Sequence, residues 1–311
     1  MHLHALTQKI KKKALDLGFF KIGIAEAIFY KQDREKFYSW LDNNYHASMD
    51  WLSRRKDERT NIKNYFYSSK SVISLAINYH TGHSWKENEL KISNYALGDD
   101  YHLVVKSKLY SLLKYIKKEI NDVKGLVCVD TSPIMEKAWA QRAGIGWIGK
   151  HTNLITRERG SWFFLGEIII DKKLEFDLPY SLDLCGTCTS CMDSCPTGAL
   201  NQEYVLDSSK CISYYTIEHR NDDIPEHIYK NFKNWIYGCD ICQEVCPWNT
   251  KNNLLTNINE FLPREDLIEK NKLDWIELSN DEYKRIFKNS AIKRAKFNGI
   301  KRNIRNVTTA N

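Results

Sequence analysis

Three features of the 311-residue chain predict its fold class. Apolar, strand-like runs alternate with amphipathic helices up to about residue 178. Eight of the nine cysteines crowd between Cys185 and Cys246, and the segment from Lys284 to Arg305 carries many basic side chains and no acidic one. The class is therefore α/β (α+β): a catalytic-sized domain over 1–178, a ferredoxin-like module of two [4Fe–4S] clusters over 179–250, and a short basic helical tail over 251–311.

The elements follow in order. His4 to Leu17 reads as an amphipathic helix, with Leu6, Ile10, Ala14 and Leu17 on one face and Gly18 as its stop, and Phe19 to Ala25 reads as a strand. Trp40 to Arg59 is expected to be helical and polar. Ser71 to Tyr79 and Trp162 to Ile170 are apolar runs typical of buried strands. Leu103 to Ile120 is a long amphipathic helix, and Leu126 to Val129 a further strand. Ser132 and Pro133 predict the N-cap and first turn of a helix running through Ala143.

The cysteines carry the chemistry. Cys185, Cys188, Cys191 and Cys195-Pro196 form C-x2-C-x2-C-x3-C-P, and Cys239, Cys242 and Cys246-Pro247 repeat it with one ligand missing. A cubane cluster needs four thiolates. In the bacterial ferredoxin pattern the cysteine before proline crosses to the other cluster. Applied here, Cys185, Cys188, Cys191 and Cys246 hold cluster 1, and Cys195, Cys239, Cys242 and Cys211 hold cluster 2. Zinc has no need of the triplet followed by a fourth Cys and a Pro, and a disulfide framework would imply secretion, for which the N-terminus lacks an apolar core and a cleavage site. Cys128 is expected to be a buried strand residue.

No apolar run approaches the length of a membrane helix, so a cytoplasmic, reducing location and no membrane partner are expected. The net charge of +7 resides in the C-terminal segment, where Lys293, Arg294, Lys301 and Arg302 with interleaved aromatics suit a phosphate backbone. A solvated helix face is the competing reading.

Gly144, Gly146 and Gly149 spell G-x-G-x-x-G, but they follow a helix instead of leaving a strand, so an irregular loop is expected in place of a dinucleotide site. Asp130 ends an apolar strand, where ligands collect in open sheets; helix capping is its bland alternative. A nearby helix N-terminus would lower its pKa, and only a dry pocket would raise it again. His102, His80, His83 and His151 offer weaker signals.

The chain resembles the epoxyqueuosine reductases, corrinoid iron–sulfur enzymes of tRNA modification related to reductive dehalogenases. The matching stretches are Met49-Asp-Trp-Leu52 with Arg54 and Arg59, Lys70-Ser-Val-Ile-Ser74, Ile92-Ser-Asn-Tyr-Ala96, Gly98-Asp-Asp-Tyr-His102, Val129-Asp-Thr-Ser-Pro133, Arg142-Ala-Gly-Ile-Gly-Trp-Ile-Gly-Lys150, Gly160-Ser161, Leu165-Gly-Glu167, Cys211-Ile-Ser-Tyr214, Thr216-Ile-Glu218, both cysteine runs and Trp235 through Asn249. The resemblance implies reduction of epoxyqueuosine to queuosine at the tRNA wobble position, with base-off cobalamin reduced through the two clusters and Asp130 as proton donor. It further implies cobalamin contacts from Arg54, Asp130, Lys150, Ser161, Ser213 and Asp240, and substrate contacts from Tyr95, Asp100 and Arg142. Partners would be tRNA and a low-potential donor such as ferredoxin or flavodoxin, acting on a monomer. A small-molecule corrinoid reductase of the dehalogenase type is the alternative.

Overall fold

The computed structural model describes residues 2–251 and 254–310. Eight strands occur among them: β1 (Lys21–Glu26), β2 (Ser71–Asn78), β3 (Lys91–Ile92), β4 (Gly125–Cys128), β5 (Trp147–Ile148), β6 (Leu154–Ile155), β7 (Phe163–Ile170) and β8 (Trp235–Tyr237). The helices of seven residues or more are α1 (His2–Asp16), α2 (Lys31–Asp42), α3 (Tyr101–Glu119), α4 (Glu136–Arg142), α5 (Asn280–Ile286) and α6 (Lys296–Ala310).

The main sheet has the order β1-β2-β7-β4, and every neighbouring pair is antiparallel. The domain is thus α+β, since apolar runs reveal strands but not their direction. Every residue of β2 is buried because both faces of the sheet are covered. One face packs Ile73, Leu75 and Ile168 against α1 and α3; the other packs Val72, Ala76 and Ile169 against Trp139 and Ala140 of α4. Cys128 is fully buried on the latter face.

Three local expectations are corrected. The 40–59 helix is broken: α2 ends at Asp42, Asn44 and Ala47 take positive φ, and only short helical pieces follow at Trp51–Arg54 and Lys56–Thr60. Left-handed residues cannot continue a right-handed helix. The 133–143 helix begins instead at Glu136, after tight turns in which Thr131 N–H reaches Val129 O at 2.6 Å, so Ser132 caps nothing. The G-x-G-x-x-G stretch turns irregularly at 144–146 and then supplies β5, the first strand of the β5–β6 hairpin, and a Cβ at Gly146 would lie 2.0 Å from Ile155 O.

The C-terminal segment is not a tail. Ile286, Phe287, Ile292, Ile300, Ile304 and Val307 share a core with Leu90, Ile92, Tyr215 and Trp235. The strand β3 pairs parallel with β8, so residues near 90 also belong to the cysteine module. The expected limits 1–178, 179–250 and 251–311 are therefore interleaved in space, and their outer ends at Met1 and Asn311 lie outside the described residues.

Candidate active site and cysteine cavities

Two cavities sort the eight clustered cysteines. Cys185, Cys188, Cys191 and Cys246 line one of about 210 Å³. Cys195, Cys211, Cys239 and Cys242 line another of about 230 Å³. No disulfide joins any of them. Short helices place the thiols: Ser190–Asp193 lies within the first run and carries Cys191, Ile241–Glu244 lies within the second and carries Cys242, and these two helices pack together. Such a partition, four thiols around each small space, suits tetrahedral ligation of a cubane.

A third cavity of about 580 Å³ opens beside the second and shares with it Tyr95, Leu206, Cys211 and Ser213. Its remaining wall includes Met49, Trp51, Tyr101, His102, Asp130, Glu218, Tyr237 and Arg294. Asp130 follows β4 at φ 50°, a left-handed backbone uncommon outside glycine and frequent at functional sites. That turn points its carboxylate into the cavity, where Oδ2 lies 2.9 Å from His102 Nε2. Asp100 caps α3 by accepting from His102 N–H at 3.0 Å, and the same oxygen lies 2.8 Å from His102 Nδ1.

An imidazole between two carboxylates is held protonated. Burial works against the charged ring, but Asp100 and Asp130 override it and lift the His102 pKa to about 9. Burial likewise pushes the Asp130 carboxyl up, yet the His102 hydrogen bond and charge, Tyr101 and Arg59 carry it below its ordinary value. Glu136, whose Oε1 accepts from Asp130 N–H at 2.5 Å, goes the other way: burial and the Asp130 charge raise it to about 8. The constellation therefore sets an imidazole held toward its charged form between the Asp100 and Asp130 carboxylates, with the proton-retaining carboxyl of Glu136 behind Asp130.

The other expected residues are distributed as follows. Ser213 lines both the second and the third cavity; Tyr95 does too, its OH donating to Tyr237 OH at 3.2 Å. Asp240 lines the second cavity, 1 % exposed, with Oδ2 accepting from Asn94 N–H at 2.7 Å and Oδ1 from the Ser93 hydroxyl. Lys150 lines the first cavity and pairs with Glu203 at 2.7 Å. Ser161 lines none of the three. It clamps the second cysteine run instead: its N–H donates to Asn249 Oδ1 at 2.6 Å, and its Oγ accepts from Gln243 at 3.0 Å. Gly160, at φ +60°, permits that approach, because a Cβ there would sit 2.0 Å from Asn249 Oδ1. Arg54 is exposed on the short Trp51–Arg54 helix and lines no cavity described here.

Two expectations on arginines are corrected. Arg142 lies at the far end of α4 from Asp130, paired to Asp33 at 2.5 Å and stacked 3.6 Å over Tyr30, so it braces the fold. Arg302 is 3 % exposed and donates to the carbonyls of Tyr215, His219 and Asn221. Its charge holds backbone together and cannot meet a phosphate. Lys301 donates to Ile276 O at 2.6 Å; Lys293 is exposed, and Arg294 forms a bidentate pair with Glu218 at 2.8 and 2.6 Å on the third cavity's wall. Glu136, Tyr101 and Glu218 were not among the sequence candidates, and His102 was only a weak one. The adjacency of Asp100 and His102 in one helical turn was the available signal for His102.

Comparison with known proteins identifies the family. Residues 59–131 match the family model described as "Epoxyqueuosine reductase QueG, DUF1730", and residues 184–249 match the 4Fe-4S double cluster binding domain. The epoxyqueuosine reductase of Cellulophaga algicola is 44 % identical over 95 % of this chain and 95 % of its own length, and that of Cyclobacterium marinum 45 % identical over 96 % and 95 %. A crystal structure of epoxyqueuosine reductase with an epoxyqueuosine-modified tRNA-Tyr stem loop superposes with TM-score 0.86 at 27 % identity, covering 99 % of this chain and 82 % of that one. The Streptococcus thermophilus enzyme superposes with TM-score 0.84 at 29 % identity, over 97 % and 80 %. No described helix is long and apolar enough to cross a membrane. The chain belongs to the epoxyqueuosine reductase family.

Proposed function

We propose that this protein reduces epoxyqueuosine to queuosine in tRNA, drawing electrons through two [4Fe–4S] clusters and base-off cobalamin. The observation that carries the reading is the shared wall: Cys211 and Ser213 face both the second cysteine cavity and the cavity of Asp130. Cysteines Cys185, Cys188, Cys191 and Cys246 would hold one cluster, and Cys195, Cys211, Cys239 and Cys242 the other.

The third cavity fits a large flat cofactor. Its walls are mostly aromatic and apolar, from Met49, Tyr95, Tyr101 and Tyr237, with Ser213 as a polar contact. Both ring nitrogens of His102 are engaged by carboxylates, which commits this imidazole to Asp100 and Asp130. When bound, cobalamin supplies the low-potential reducing centre that the clusters charge.

The chain's own residues manage the protons. Removing an epoxide oxygen as water consumes two electrons and two protons and leaves a carbon–carbon double bond. Asp130 is the proton donor at the cavity wall. At rest it is a carboxylate, so the proton it passes to the substrate oxygen is drawn first from the His102 imidazolium, whose Nε2 lies 2.9 Å from Asp130 Oδ2. Asp100 fixes the ring from the other side. Arg294, anchored by Glu218, and exposed Lys293 would meet the anticodon arm, while a modified base leaves its stack to enter the cavity. A ferredoxin or flavodoxin would feed the clusters of a cytoplasmic monomer.

Nucleoside mass spectrometry tests the proposal. Anaerobic, cobalamin-loaded, reduced protein incubated with epoxyqueuosine-bearing tRNA is expected to yield queuosine. Unchanged epoxyqueuosine from protein whose clusters are both reduced would overturn it.

A further inference from the structure

One buried histidine stands between the two cysteine cavities. His151 is 4 % exposed and is, among the described residues, the only one that lines both spaces. Its ring is fixed in one sense, because Nδ1 accepts from Asn153 N–H at 3.1 Å and the ring proton therefore sits on Nε2. Lys137 secures the same loop, donating to Thr152 O at 2.9 Å and to Asn153 Oδ1 at 3.3 Å. Burial first, and the Lys137 charge second, push the imidazole down to about 4, so it is neutral at physiological pH. Its Nε2–H is buried and has no acceptor among the described residues.

Buried polar groups rarely stay unpartnered, and an orphan donor calls for an explanation such as an ion or cofactor. The acceptors missing from the protein alone would be supplied by cluster sulfur on either side of the ring. We propose that His151 is a potential-setting residue of the iron–sulfur pair, its Nε2–H donating to sulfur of a cluster and its ring separating the two. This rests on the two-cluster reading given above. A cubane with four thiolate ligands is already anionic, and reduction adds one more negative charge. A hydrogen-bond donor therefore stabilises the reduced form more than the oxidised form and raises the potential. No net charge is introduced, so the pair keeps its ability to pass electrons onward.

The test is an EPR-monitored redox titration of anaerobic, fully loaded protein, with iron and acid-labile sulfide measured on every sample. His151→Phe keeps ring volume and removes the donor; at a fixed potential near the midpoint it is expected to lower the reduced-to-oxidised ratio of at least one cluster by about tenfold, a shift of about 59 mV for one electron. His151→Gln keeps an N–H near the Nε2 position and should stay close to wild type. Unchanged potentials in the phenylalanine variant, or equal shifts in both variants, would overturn the proposal. A wild-type measurement stands independently of either substitution: in protein labelled with 15N-histidine, electron–nuclear double resonance should detect a histidine nitrogen coupled to a reduced cluster, and its absence would contradict the inference. Fewer than two clusters in the wild type would instead refute the reading on which it rests.

Discussion

Asp130 and Asp240 stand on the walls of adjoining cavities and have opposite lives. Asp240 is buried and saturated, its oxygens taken by the Ser93 hydroxyl and by the backbone and side-chain amides of Asn94. Asp130 projects into open space from a left-handed residue and shares a proton with His102. A carboxylate whose two oxygens are both committed to buried donors organises a loop. One held against an imidazolium and a neutral carboxyl can give and take protons. The difference lies in their surroundings, since the residue type is the same.

The largest expected effect comes from removing the carboxylate at Asp130. Asp130→Asn should cut single-turnover formation of queuosine by roughly 10²- to 10⁴-fold, the usual weight of a general acid, while iron content and stem-loop affinity stay near wild type. Asp240→Ala should behave in the reverse way. It strands the donors of Ser93 and Asn94, each at a cost of about 1–3 kcal/mol, so thermal stability and retention of the second cluster fall together. If Asp130→Asn lost iron, or Asp240→Ala lost only turnover, the contrast would be broken.

Titration sharpens the same comparison. The folded-state pKa of His102, about 9, lies above the ordinary imidazole value, which in unfolded chains is about 6.5. Its stabilising contribution is therefore fully present below about pH 6.5 and is lost as pH rises through about 9. Turnover should decline across that alkaline window, and His102→Gln should flatten the alkaline limb. A rate unaffected up to pH 10 would detach His102 from proton supply.

The smallest effect is expected at the basic surface. Lys293→Ala should weaken stem-loop binding modestly and reduce the slope of log affinity against log salt by about one. Arg302→Ala should leave that slope unchanged and lower thermal stability, because its guanidinium is spent on the Tyr215, His219 and Asn221 carbonyls.

Much of this was legible from local pattern. The apolar runs of β2 and β7 and the amphipathic period of α3 gave the main elements, because burial dictates composition at those positions. The cysteine spacing anticipated two four-thiol groups, and the cavities gather the same two sets. Strand direction was not legible, since an apolar run looks alike in parallel and antiparallel sheets. Nor was the fate of the basic segment. No acidic residue lies within 284–305, but folding brings Glu218 to Arg294 and Asp266 to Arg285, and buries Arg302 altogether. The role of His102, only a weak signal in the sequence, was hidden for a similar reason: its partner Asp130 is 28 residues away, and only the left-handed turn after β4 brings them together.

The central claim is that electrons and protons converge on one cavity, from opposite walls. Its most direct test is single turnover of the pre-reduced, cobalamin-loaded Asp130→Asn protein on an epoxyqueuosine-bearing stem loop, with cluster reduction followed by EPR and nucleosides by mass spectrometry. The account predicts two fully reducible clusters and almost no queuosine. Queuosine formed at the wild-type rate would contradict it.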